Sequence, residues 1–282
     1  MKITQKLLLV IALCQSLPAQ SAIETVRAQS MGGAFRAVSS NNDAIVYNPA
    51  GLLNQPVISA QAEYLALRSN KSHRVNASLV DSQTTSWGMG VFYGSNFGEP
   101  ITTVHNLHLA LAVPIIPTYL TLGGAGTYAH DPHLGFGDVK NFFNLDVGLA
   151  VGTHIGLSFA AVADHLAKPK GLEKPMGLAF ATAYNLGQVK PEIPLIFAID
   201  WLMDDVASDF DLDHQLGLGL EYLVVSLFPV RLGFNTRVKA REHKISLGTG
   251  MISGPFLLEG LYQQDLKVGS NRQFGLSLVL NF

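Results

Sequence analysis

Charge is scarce in this chain. Asp, Glu, Lys and Arg make up 14% of its 282 residues, against about 25% in an ordinary soluble domain, which is too little to clothe a large water-facing surface. Cysteine is nearly absent too: Cys14 stands alone, inside an N-terminal leader, so the exported part holds neither a disulfide nor a catalytic thiol. There is no Gly-x-Ser-x-Gly, His-Glu-x-x-His, phosphate-loop or dinucleotide fingerprint. No enzyme, cofactor or metal is expected from such a chain. Basic residues, 19 against 21 acidic, are too few for a nucleic-acid partner. Unbroken apolar runs of membrane-helix length are missing as well. The stretch 107–126 is interrupted by His108, Pro114 and Pro117, and 216–234 by Glu221, Pro229 and Arg231.

The leader carries Lys2 and Lys6, an apolar run from Leu7 to Leu13, and small residues up to Ala22. It reads as a secretory signal peptide over 1–22, with cleavage after Ala19, Ser21 or Ala22. Leu13 stands where lipidation of Cys14 would need a small residue, which argues against a lipoprotein. Residues 23–55 then form a turn-rich segment, and 56–282 the main body.

From residue 56 onward the pattern has a period of two. Leu107, Leu109, Leu111 and Val113 alternate with Asn106, His108, Ala110 and Ala112; Phe143 to Val151 and Leu216 to Tyr222 repeat the pattern. In a soluble sandwich the second face would be rich in Lys, Glu and Thr. Here it is Gly, Ala, Ser and Asn with a few charges, as in a crowded polar lumen, so the large apolar face is expected to meet lipid. The segmentation gives 56–67, 73–80, 86–94, 103–113, 118–128, 141–151, 155–164, 176–184, 193–203, 214–225, 230–238, 244–251, 255–264 and 272–282. This is an all-β reading: a transmembrane antiparallel β-barrel of about 14 strands, with twelve the nearest alternative, and a short N-terminal plug. The longest connections, around 129–140, 165–175 and 204–213, alternate with turns such as Pro114–Pro117, which puts both barrel ends on the periplasmic side. The terminal run from Phe274 to Phe282 keeps aromatics at both its ends on the apolar face, in the manner of the signal read by barrel-assembly machinery. Trp87, Trp201, Tyr93, Tyr184 and Tyr222 are candidate girdle residues.

Residues 27–52 include Met31-Gly32-Gly33-Ala34-Phe35, then Asp43-Ala44 and Tyr47-Asn48-Pro49-Ala50-Gly51-Leu52. Gly32-Gly33 permits a tight bend, Asp43 can cap one helical turn, and Asn48 before Pro49 can cap another. This run resembles the N-terminal region of the FadL-like outer-membrane family, which includes the long-chain fatty acid and aromatic hydrocarbon transporters and the PorV and TraF-type proteins. The resemblance implies a barrel obstructed by its N-terminal segment and the passage of hydrophobic molecules. The chain lacks the long outer loops of the family's transporters.

Fourteen strands enclose more space than their own small side chains fill, since about eight already make an interior that side chains can pack. The expected plug and gate residues are therefore Met31, Gly32, Gly33, Phe35, Tyr47, Asn48, Pro49 and Gly51, with Ile45 among those packing on the wall. The expected lumen-lining charges are Glu63, Asp146, Asp200, Glu221, Arg231, Arg237, Lys244 and Glu259. They form either an internal ion-pair network or a polar substrate path. The histidines near His130, Asp131 and His133, and the acids Asp204, Asp205, Asp209, Asp211 and Asp213, read as solvated loops rather than metal sites; His214 stands where a calcium loop needs glycine. The leading functional expectation is passive passage of small hydrophobic molecules through the outer membrane. The alternative is an adaptor barrel, similar to PorV, that holds a partner protein, and a hydrolase is third. Outer-membrane lipid and lipopolysaccharide, the assembly machinery and a hydrophobic passenger are the partners this implies.

Overall fold

The computed structural model describes residues 24–68, 71–98, 104–130, 141–167, 176–204, 212–269 and 271–282. The leader, Cys14, Asp131, His133, Asp205, Asp209, Asp211 and most of the three longest connections lie outside the described residues.

Fourteen antiparallel strands close into one barrel. They are β1 Ile58–Leu67, β2 Ser72–Asp81, β3 Gly88–Gly98, β4 Val104–Ile116, β5 Leu120–His130, β6 Asn141–Gly152, β7 Leu157–Asp164, β8 Gly177–Asn185, β9 Leu195–Asp204, β10 Asp213–Val224, β11 Phe228–Arg237, β12 Glu242–Ser253, β13 Phe256–Asp265 and β14 Arg272–Asn281. Each pairs with its sequence neighbours, and β1 meets β14 to close the ring. Closure removes both sheet edges, which is what lets a sheet cross a bilayer with every backbone group paired. The alternation predicts these strands within a few residues. One difference is local: the turn expected at Pro114–Pro117 is partly strand, because β4 runs on to Ile116 through a register shift between Pro114 and Ile116. Proline has no N–H to give to a ladder, and a bulge is where a sheet tolerates it.

The faces follow the pleat. Leu109, Leu145 and Leu232 are exposed on the outside, Leu218 is half-buried there, and Asp146, Glu221 and Arg231 face inward. Exposed aromatics form two belts. Trp87, Tyr119, Tyr184 and Tyr222 ring the end where β1 begins and β14 finishes, and Tyr64, Tyr93, Tyr128 and Trp201 ring the opposite end. An apolar band between two aromatic girdles is the surface of a barrel in lipid. The chain is an outer-membrane β-barrel. By the usual asymmetry of short periplasmic turns and longer outer loops, the end carrying the connections around 131–140, 165–176 and 205–212 is the outer one.

Candidate functional site

The interior holds the N-terminal segment. Helix α1 (Val26–Ser30) is followed by the Gly32-Gly33 bend, a 3-10 turn over Asn41–Asp43, helix α2 (Ala44–Tyr47) and a 3-10 turn over Pro49–Leu53. Gly32 and Gly33 take φ of 65° and 77°, a region open to glycine at little cost. Asn48 behaves as its sequence suggests: its side chain accepts from the Ala50 amide at 3.1 Å while Pro49 begins the turn. Asp43 does not. It makes no side-chain cap bond and has helical backbone angles, because the turn over Asn41–Asp43 runs straight into α2 without the extended residue a cap requires. Its carboxyl is buried instead, and burial, with the Glu259 carboxylate adding, pushes it above the usual carboxylate range.

This segment touches all fourteen strands. Its start lies against β1, β2, β13 and β14: the Val26 amide donates to Glu63 at 2.9 Å, Glu24 pairs with Arg74 at 3.6 Å, the Gln263 amide donates to Gln29, and Val26 packs beside Gly275. Ser30 fills the space over Gly248 of β12, and the Gly32 bend lies on Gly217, Gly219 and Gly233 of β10 and β11, where Asn235 donates to the Gly32 carbonyl at 2.8 Å. Phe35 and Tyr47, edge to face at 5.9 Å, pack with Ala160, Ala181, Ala183 and Ala198 of β7, β8 and β9. Asn48 sits over Gly148 of β6, and the Pro49–Ala50 backbone over Gly123 of β5. Leu52 and Ile45 close the circuit on Gly88 and Gly90 of β3 beside Ala110 and Ala112 of β4.

The small-residue face therefore has a different meaning from the polar lumen that composition suggests. A Cβ built at Gly233 would collide with the backbone of Met31 and Gly32, and one at Gly123 with that of Pro49 and Ala50. These glycines are absent side chains that let a second layer of backbone lie on the wall. Met31, Phe35, Ile45 and Gly51 are likewise buried, and a Cβ at Gly51 would meet Ser39 within the segment itself.

The inward charges are brought together in groups. Arg231 of β11 pairs with Glu221, its direct cross-strand neighbour on β10, and reaches across Gly248 of β12 to Glu259 of β13 at 2.7 Å. Arg27 from the segment joins this group through Glu221 at 3.3 Å. Arg36 forms the second group, with Asp200 at 3.3 Å and Asp164 at 3.6 Å. Glu63, which also accepts from Asn76 at 2.9 Å, anchors the third with Gln61. Asp146 accepts from the His165 amide, while Arg237, paired with Asp204 and Asp213, and Lys244, paired with Glu242, sit at the outer mouth. Two of the five acids of the 204–213 stretch are thus held by Arg237.

Glu24, Arg27, Arg36, Asp164, Asn76 and Gln263 complete these groups and were not singled out from sequence. The signal was present: a wall with more inward acids than bases needs cations from elsewhere, and Arg27 and Arg36 are the two bases of the N-terminal segment. Chemically, the arrangement offers cohesion through buried ion pairs and apolar packing. A polar cavity of about 170 Å³ opens above it, lined by Glu24, Lys244, Gln263, Asp265 and Gln273.

No family model and no curated protein sequence matches the chain. In solved structures it is similar to the toluene transporter TbuX of Ralstonia pickettii, 11% identical, over 93% of this chain and 98% of that one, with a TM-score of 0.61. It is similar to the monoaromatic hydrocarbon channel CymD, 13% identical over 91% and 97%, TM-score 0.59. A deltaS2S3 mutant of the monoaromatic hydrocarbon channel TodX aligns at 11% identity over 92% and 99%, TM-score 0.59. At such identities what is shared is the fold: a fourteen-strand outer-membrane barrel of the kind that these hydrocarbon channels use.

Proposed function

We propose that the protein is a gated outer-membrane channel for small hydrophobic molecules, with residues 24–55 as the plug and movement of that plug as the gate. The observation that carries this reading is the contact of the segment with all fourteen strands: a passenger crossing the barrel has to displace part of it. The attachment favours partial displacement over loss. Apolar packing dominates over β3 to β5, whereas buried ion pairs hold Arg36 to β7 and β9 and Arg27 to β10, so release of one patch leaves the others in place. The class of passenger is supported by the monoaromatic hydrocarbon channels of the same fold and by the family resemblance of residues 27–52.

The test is uptake of radiolabelled toluene at submillimolar concentration by cells with an intact lipopolysaccharide layer, with and without the protein, beside liposome swelling with small sugars. Toluene uptake above the empty-vector level without sugar-driven swelling supports the reading. Uptake at the vector level overturns it, and copurification of a second protein at fixed stoichiometry in that case favours the adaptor barrel.

A further inference from the structure

Among the described residues, the cations outside the lumen are unevenly placed between the two ends of the barrel. Among the described residues outside the lumen, the periplasmic end carries one cation, Lys190. The outer end carries Arg68 and Lys71 between β1 and β2, Lys239 and Arg241 between β11 and β12, and Lys267 and Arg272 at the β13–β14 connection. These three hairpins stand side by side around the barrel, since β14 pairs with both β13 and β1, and β12 with β13. Asp213, on the neighbouring β10, accepts from the Lys239 amide and pairs with Arg237. Glu242 pairs with Lys244, and Asp265 is buried and accepts from the Lys267 and Val268 amides.

The β11–β12 hairpin continues this charge downward in an ordered way. Below Lys239 and Arg241 comes the outward pair Thr236 and His243, hydrogen-bonded at 2.9 Å. Below that come the outward pairs Phe234 with Ile245 and Leu232 with Leu247. With Leu218 and Leu220 of β10 these line a groove of about 440 Å³ on the outside of the wall. Cations at the rim, a polar step and an apolar trough follow the order of a lipid read from phosphate to acyl chain.

We propose that this face is a binding site for lipid A, the phosphorylated, acylated anchor of lipopolysaccharide. A phosphate is held by Lys239 and Arg241, and an acyl chain lies in the groove beneath. The outer leaflet is where such a lipid resides, and cations spread over three adjacent hairpins match a headgroup with phosphates at two ends better than the single phosphate of a glycerophospholipid. Arg241 can grip a phosphate with two parallel N–H bonds, and Lys239 contributes a point charge.

Native mass spectrometry of the detergent-extracted protein tests this, titrated with bis-phosphoryl lipid A, monophosphoryl lipid A or phosphatidylglycerol. The doubly phosphorylated lipid is expected to be retained most strongly. Lys239→Gln with Arg241→Gln should weaken it by about ten- to thirty-fold, the effect of two cations close to an anionic lipid surface. Ile245→Trp, which fills the groove, should weaken it as well, and Lys190→Gln should leave it unchanged. Heat-modifiable migration on gels verifies that each variant is folded. Equal retention of phosphatidylglycerol, unchanged binding in the Lys239/Arg241 variant, or unchanged binding in Ile245→Trp overturns the assignment.

Discussion

Replacing Arg231 by Met should cost far more than replacing any exposed cation of this barrel, and the structure says how much. Arg231 is 2% exposed and lies between Glu221 and Glu259, the latter 1% exposed. When the guanidinium is removed, Glu221 retains Arg27 at 3.3 Å. Among the described residues Glu259 is ion-paired with Arg231 and keeps only the more distant charge of Arg27, and a carboxylate so deeply buried has little water to turn to. Breaking a buried pair by deleting one member costs roughly 3–5 kcal/mol, because the survivor remains desolvated. Substituting Glu259→Gln in the same chain removes that stranded charge, so the double variant should recover about 2–3 kcal/mol of the loss. The half-exposed Lys244–Glu242 pair at the mouth is the control, and Lys244→Met should cost below about 1 kcal/mol. The assay is urea unfolding in phospholipid vesicles, followed by fluorescence of Trp87 and Trp201, the two tryptophans of the chain. Arg231→Met and Arg231→Met/Glu259→Gln losing the same stability would refute the reasoning, since the cost would then come from packing alone.

Two further predictions concern the two faces of the wall. Leu109→Arg, at an exposed lipid-facing site of β4, should destabilise the barrel by about 2–4 kcal/mol in the same urea assay; a loss below 1 kcal/mol would mean that this site does not face lipid. Gly233→Val would drive a side chain into the Met31–Gly32 backbone, whereas nothing lies within 4 Å of a Cβ at Gly260. The first should abolish heat-modifiable folding or expose residues near the bend to protease, and Gly260→Val should do neither.

The strands were legible because a β-strand between lipid and an interior has a period of two, and few charges blur it. Leu107, Leu109 and Leu111 could be assigned a side from sequence alone, and the girdle aromatics with them. The bend at Gly32-Gly33 and the Asn48-Pro49 cap were legible because each is a local backbone preference. What stayed hidden depends on distance along the chain. Arg27 meets Glu221 across 194 residues and Arg36 meets Asp200 across 164, and no local pattern encodes such pairings. The glycines of β10 and β11 show why composition misled: Gly217, Gly219 and Gly233 are the same letters whether they border water or a second layer of backbone. Asp43 was misread for a related reason. A residue that often caps was taken from its type, while the turn before it supplied a continuous helical path and left its carboxyl buried.

The claim on which the account rests is that the N-terminal segment closes the barrel. Its most direct test is single-channel conductance in planar bilayers of the intact protein and of a form lacking residues 27–50, each shown to be folded by heat-modifiable migration. With most of the segment's contacts to the wall removed, the deletion should leave a wide lumen and a stable conductance far above that of the intact protein. A correctly folded deletion that conducts no more than the intact protein would contradict the account, because the lumen would then be closed by something other than this segment.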